Sequence, residues 1–128
     1  MLGNESSANT PKEALRAASY SSGANNGPWI DVKNLEGDIL FVCNVGALTG
    51  SVVFSLQDAT DGTGTGAGAL SPAVATASLN TAGQTASLRI AKRKIRSHVR
   101  VVATVTTGPA LAAAVAISRD KMTPTSAT

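Results

Sequence analysis

The amino-acid sequence predicts an all-β protein, an antiparallel β-sandwich or jelly roll with an extended N-terminal arm. Short apolar runs alternate with a period of two, as half-buried strands do. Turn-forming residues separate these runs. No helical segments alternate with the predicted strands, so a parallel α/β sheet is not expected.

The central stretch is residues 35–61, where two apolar runs flank a turn bounded by Gly46 and Gly50. Each run has one clearly apolar side: Ile39, Phe41, Cys43 and Val45 in the first, and Val52, Phe54 and Leu56 in the second. The other side of the first run is also partly apolar, so we expect that strand to be covered on both faces. The glycines favour a β-hairpin with left-handed backbone geometry at its turn.

Residues 1–28 contain mostly Ser, Asn, Gly and Ala, and we expect a flexible arm that becomes ordered on a partner. Within this arm, Thr10, Pro11 and Glu13 have the spacing of a helix N-cap, which predicts one or two helical turns. Trp29 begins the predicted domain, residues 29–118. It either closes one end of the core, which we favour, or anchors a contact surface.

The later elements are predicted from composition and alternation. Residues 58–72 are rich in Gly and Thr, which indicates an exposed loop with little fixed structure, and they lack the lysine of a phosphate-binding loop. Residues 73–79 and 85–90 are predicted strands, and Val99, Val101, Ala103 and Val105 alternate in another. Residues 110–118 fit a strand or a helix, and the preceding turn favours the strand. Residues 119–128 are a predicted polar tail.

Composition constrains the size of the side chains in the core and indicates the cellular compartment of the protein. Hydrophobic residues make up 43% of the 128-residue chain but aromatic residues only 3%, so the core must use small side chains. We therefore expect support from self-association or from a larger surface. The single Cys43 cannot form an internal disulfide and is expected to be buried. The chain opens without a signal-peptide pattern and has no apolar run of membrane-spanning length, which predicts no membrane association.

Few residues could support catalysis or metal binding. His98 is the only histidine and Cys43 the only cysteine, while Asp58 and Asp61 form a thin set of oxygen ligands. Catalysis needs groups that burial and neighbours can activate, and the candidates for such groups are few in this sequence. We expect no enzyme activity, no metal or cofactor, and no small-molecule substrate.

A basic stretch accounts for most of the net charge of +3. It contains no acidic residue and consists of Arg89, Lys92, Arg93, Lys94, Arg96 and Arg100. This basic stretch is compatible with two interpretations: a solvated turn, or a patch that binds an acidic protein surface or nucleic acid. The stretch lacks the interleaved aromatics of single-strand binders, so nucleic acid is the less favoured partner. The candidate contact residues are Lys92, Arg93, Lys94, Arg96 and Trp29.

The segment LEGDILFVCNVGALTGSVVFSLQDATDG, together with IRSHVRVVATVTTG and a final strand of small residues, resembles a group of small virion proteins of tailed bacteriophages. The resemblance implies a capsid cement or decoration protein that binds the outside of the head and bridges major capsid protein subunits. It implies self-association as a dimer or trimer at capsid symmetry axes, and a virion location after synthesis in the host cytoplasm. A head-tail joining or tail structural protein is the alternative. A nucleic-acid-binding β module is a third hypothesis of a different class.

Overall fold

Two antiparallel β-sheets pack face to face in the structure, a computed structural model that describes residues 9–70 and 73–120. The strands are β1 (Asn9–Tyr20), β2 (Gly23–Asn26), β3 (Ile30–Asp31), β4 (Leu35–Leu48), β5 (Ser51–Ala59), β6 (Gly68–Ala69), β7 (Thr85–Ala91), β8 (His98–Thr106) and β9 (Ala110–Asp120). Sheet A has the strand order β1-β9-β4-β7, and sheet B has the order β2-β8-β5-β6 with β3 also paired to β8. The predicted all-β sandwich is confirmed.

The core between the sheets combines valine, alanine, leucine and isoleucine around two phenylalanines. Phe41 of β4 and Phe54 of β5 are both fully buried, one from each sheet. The alternating residues of β8 point into the same core, as predicted: Val99, Val101, Ala103 and Val105. Sheet A contributes alternate alanines of β9, namely Ala110, Ala112, Ala114 and Ala116. The expected small side chains, alanine and valine, make up half of the core cluster, and leucine, isoleucine and phenylalanine make up most of the rest.

The central stretch is not a hairpin, because β4 pairs with β9 and β7 in sheet A while β5 pairs with β8 and β6 in sheet B. The predicted sides are nevertheless right, since strands in opposite sheets turn their apolar residues toward one shared core. Neither Gly46 nor Gly50 has a positive φ. Gly50 is required for a steric reason instead, because a Cβ there would lie 1.9 Å from the carbonyl oxygen of Thr106.

The predicted arm is wrong over residues 9–28. β1 pairs along its length with β9, and β2 pairs with β8. The predicted helical turns are replaced by strand, because pairing with β9 supplies main-chain partners that a short isolated helix would lack. Ala14 and Leu15 are both buried at a bulge, which breaks the alternation that would have revealed the strand. Residues 1–8 of the predicted arm lie outside the described residues.

Three other segments also differ from prediction. The glycine-rich loop is fixed by β6, which pairs with Gln57 and Asp58. Residues 73–79 make only isolated bridges to β5, at Val52–Leu79 and Ser55–Ala75, rather than a full strand. β9 confirms the strand reading of residues 110–118 and continues to Asp120, so the domain extends beyond its predicted end. The remainder of the predicted tail, residues 121–128, lies outside the described residues.

Candidate interaction surfaces

Three of the predicted contact residues form one projecting turn. Lys92–Lys94 is a short 3₁₀ turn directly after β7, and the N–H of Ile95 donates to the carbonyl of Lys92 at 3.2 Å. Arg93 and Lys94 are exposed and Lys92 is half-buried. Within the described residues, these side chains make no ion pair to an acidic group within 4.0 Å. We call Lys92, Arg93 and Lys94 the basic turn.

The basic turn borders a cleft of about 330 Å³ at one end of sheet A. Lys92 and Arg93 line it together with Glu36 and Asp38 from the first residues of β4. Lys33 lines the cleft as well, but its ammonium lies 3.8 Å from the carboxylate of Asp31. The cleft is therefore a charged surface of both signs, with the cations concentrated on the basic turn.

Arg96 does not belong to the basic turn, because the fold itself uses its charge. Its Nη2 donates to Asp58 Oδ1 at 2.9 Å and to the Gly66 carbonyl at 2.7 Å, and its backbone N–H donates to Asp58 Oδ2 at 3.0 Å. Burial alone would raise the pKa of Asp58, but these hydrogen bonds and the positive charge of Arg96 outweigh burial and hold that pKa below its usual value. Arg96 therefore ties the glycine-rich loop to β5.

Trp29 lies half-buried outside the main core cluster. The Arg100 guanidinium stacks over its ring at 4.3 Å from the centroid, and Arg100 also donates from Nε and Nη2 to Gln57 Oε1 at 2.9 and 2.7 Å. Gly64 packs so closely on the indole that an added Cβ would lie 3.0 Å from Nε1. Trp29 and Arg96 thus both contact the glycine-rich loop, Arg96 through the Gly66 carbonyl and Trp29 through Gly64.

Within the glycine-rich loop, one carboxylate accepts three hydrogen bonds. Asp61 Oδ1 accepts hydrogen bonds from the Thr63 N–H at 3.0 Å, the Thr63 hydroxyl at 2.8 Å and the Thr65 N–H at 3.0 Å. These bonds from Thr65 and Thr63 hold the pKa of Asp61 well below its usual range. Asp61 is therefore occupied with organising the loop.

The outer face of sheet A carries an apolar surface that the sequence analysis missed. Among the described residues, the exposed large hydrophobic side chains are Leu111, Val115 and Ile117, at 46%, 41% and 37% exposure. All three lie on the outward side of β9 together with Ala113, because Ala110, Ala112, Ala114 and Ala116 point inward. Leu40 and Val42 of β4 pair with Ile117 and Val115, and they are half-buried rather than covered as predicted. We call these five residues the apolar stripe.

The groups considered for chemistry are dispersed. Cys43 is fully buried, as predicted, and burial raises the pKa of its thiol to about 12. His98 is half-buried, with Nδ1 at 2.8 Å from the Ser97 hydroxyl. Across residues 9–70 and 73–120, no three His, Cys, Asp or Glu side chains gather as metal ligands would. The same part of the chain contains no helix that is long and apolar enough to cross a membrane.

Comparison with known proteins identifies the fold. No family model and no curated protein matches the chain. The structure is similar to that of the SPBc2 prophage-derived protein YomS, with a TM-score of 0.55 and 13% identity over 86% of this chain and 93% of that one. It is also similar to a structure from Bacillus endospore appendages, described as a family of disulfide-linked pili, with a TM-score of 0.54 and 15% identity over 90% of each chain. At these identities the likeness is one of fold.

Proposed function

We propose that this protein is a structural virion component that binds the outside of a bacteriophage head as a cement or decoration protein. In this role it acts by non-covalent binding across neighbouring major capsid protein subunits and performs no catalysis. The observation that carries the proposal is the basic turn, three consecutive cations that project from the end of sheet A without an ion pair in the described part of the fold. An acidic shell surface is the partner that such a turn fits.

The fold supports this proposal at the level of architecture. YomS is described as prophage-derived, and the appendage protein belongs to a pilus, so the shared sandwich occurs in a protein encoded by a phage genome and in one that forms an assembly. A small clamp of this kind adds stability by binding the assembled shell and not its separated subunits, and many copies act together. A tail or head-tail joining protein of the same virion class is the second candidate.

Thermal disruption of shells tests the proposal. Shells are heated alone, with the wild-type protein, and with a variant carrying Lys92→Ala, Arg93→Ala and Lys94→Ala. Arg96 is kept, because its loss would release the glycine-rich loop and confound the result. Arg16→Ala, which removes an exposed cation from the opposite edge strand, is the control. We expect the wild type and the control to raise the disruption temperature and the triple variant to raise it less.

The outcomes separate the candidate roles. Equal disruption temperatures with and without the wild-type protein contradict the cement role. Equal protection by the wild type and the triple variant removes only the basic turn from the contact. Raising the salt concentration should imitate the triple variant, since the Debye length falls from about 10 Å at 0.1 M to about 3 Å at 1 M. Retention of the isolated protein on DNA with a steep salt dependence would instead favour the nucleic-acid-binding module.

A further inference from the structure

We propose that the apolar stripe is the interface of a homodimer, in which a second copy of this chain packs on the outer face of sheet A. The two-fold axis runs along the strands, between the two facing sheets. This dimer goes beyond the proposed role on shells and does not depend on it. Three features of sheet A support it: the position of the exposed apolar side chains, the size of the face, and the charges on its two edge strands.

The position of the apolar side chains is the first feature. Scattered exposed hydrophobic residues are ordinary on protein surfaces, whereas a continuous group marks an interface. Here Ile117 pairs with Leu40, and Val115 pairs with Val42, so the two central strands form adjacent apolar rows. Leu111 lies further along the outward side of β9, separated from Val115 by the row in which Ala113 pairs with the exposed Asn44, and an added Cβ on Gly46 would lie 3.3 Å from the Leu111 Cβ. Four alanines of the same strand face the core, namely Ala110, Ala112, Ala114 and Ala116.

The size of the face matches that of a protein dimer. Sheet A is four strands wide, and its central strand β9 has 11 residues. With strands about 4.8 Å apart and a rise of about 3.3 Å per residue, the face measures roughly 19 by 36 Å, or about 700 Å². Two copies would therefore cover about 1,400 Å², within the usual range of specific interfaces. Sheets pack in this face-to-face manner in natural sandwiches.

The charges at the flanks define the symmetry. Glu13 of β1 pairs with Val115, and Arg89 of β7 pairs with Leu40, so both point outward beside the apolar stripe, on opposite edge strands. A two-fold axis along the strands places β1 of one copy over β7 of the other, and each Glu13 then faces an Arg89. The two residues are one row apart, about 7 Å along the strand, which an arginine side chain can span. An axis across the strands would instead place Glu13 near Glu13.

Sedimentation velocity of the full chain across a concentration series tests the interface. We expect a reversible dimer, and we expect Val115→Lys to raise its dissociation constant on the order of 100-fold, because an unpaired charge would be buried at the centre of the contact. Thr104→Lys is the matched control, since it adds the same charge at an exposed position of β8 in sheet B. Circular dichroism and thermal melting establish that both variants fold.

Charge exchange tests the symmetry with variants on exposed positions. Glu13→Lys and Arg89→Glu should each weaken the homodimer by about tenfold, because each reverses two contacts. An equimolar mixture of the two single variants should form heterodimers as tight as the wild type, since every facing pair is again of opposite charge. The double variant, which carries both Glu13→Lys and Arg89→Glu, should form a homodimer of wild-type affinity for the same reason.

Other results of these experiments would contradict the proposed dimer or its symmetry axis. A wild-type protein that stays monomeric at about 100 μM, or that forms a trimer, overturns the proposed dimer. So does a dimer that Val115→Lys leaves unchanged. Heterodimers between Glu13→Lys and the wild type that are tighter than the wild-type homodimer would overturn the proposed axis. A monomeric wild type whose Val115→Lys variant alone loses shell binding would assign the stripe to the shell instead. All these measurements except the last use isolated protein, so they can fail independently of the shell experiment.

Discussion

At the scale of single residues, neighbouring cations of the basic stretch have different roles. Arg96 is fixed by Asp58 and the Gly66 carbonyl, whereas Lys92, Arg93 and Lys94 are left to the surface of the fold. The sequence presents all four as one cluster, because charge alone does not show where the acidic partner lies. Asp58 is 38 residues away from Arg96 along the chain. Only the pairing of β5 with β8 brings them together.

The Asp58–Arg96 contact predicts a pH-dependent part of the stability. Because the folded pKa of Asp58 lies below its unfolded value of about 4, its contribution is complete above that pH and is lost as the pH falls through the lower folded pKa. We expect Asp58→Asn to reduce the free energy of unfolding at pH 7 by about 1.5–3 kcal/mol. The difference from the wild type should shrink on acidification below about pH 4.

Urea unfolding of both proteins from pH 7 down to pH 2 measures this difference. Asp38→Asn, an exposed carboxylate of β4, is the control and should show no comparable effect. A difference between the wild type and Asp58→Asn that stays constant across the whole pH range would show that the carboxylate charge is not what stabilises the loop.

At the scale of elements, alternation predicts the faces of strands but not their partners. The inward residues of β4, β5 and β8 follow from period-two patterns, because one side of each strand is distinctly apolar. The same pattern arises whether β4 and β5 pair in one sheet or face each other across a core. The sequence therefore could not distinguish a hairpin from a crossing between sheets.

β9 shows a second limit of sequence patterns. Its two alternating sets are both apolar: one consists of Ala110, Ala112, Ala114 and Ala116, and the other contains the larger Leu111, Val115 and Ile117 together with Ala113. Size alone would place the larger set inside. The structure places the all-alanine set inside, in the same core as Phe41 and Phe54, and turns Val115 and Ile117 outward. The apolar stripe follows from this choice, which depends on the volume that the opposite sheet leaves.

Leu15 provides a test of whether β1 belongs to the domain. Its side chain is 2% exposed and packs in the core, so Leu15→Ala should lower the free energy of unfolding by about 2–5 kcal/mol. Arg16→Ala, the exposed neighbour on the same strand, should change it by less than about 0.5 kcal/mol. Chemical denaturation measures both. Equal stability of the Leu15→Ala variant and the wild type would restore the flexible arm that the sequence suggested.

At the scale of the whole molecule, the proposed dimer and the proposed shell contact reinforce each other. The basic turn follows the end of β7 that lies beside the first residues of β4. A two-fold axis along the strands preserves the strand direction, so both basic turns of a dimer lie at the same end. Such a dimer presents two cationic contacts to one surface, and the second forms at high effective concentration.

Loss of the dimer should therefore weaken shell binding without removing it. Val115→Lys leaves the basic turn intact, but the resulting monomer engages the shell through one basic turn, whereas the wild-type dimer engages it through two. We expect its affinity for shells to fall by about 10²–10⁴-fold and the slope of log affinity against log salt to fall to about half. Titration of labelled protein onto shells at several salt concentrations measures both, with Thr104→Lys as the control for added charge. An unchanged affinity and slope for Val115→Lys would mean that the molecule binds shells through a single turn.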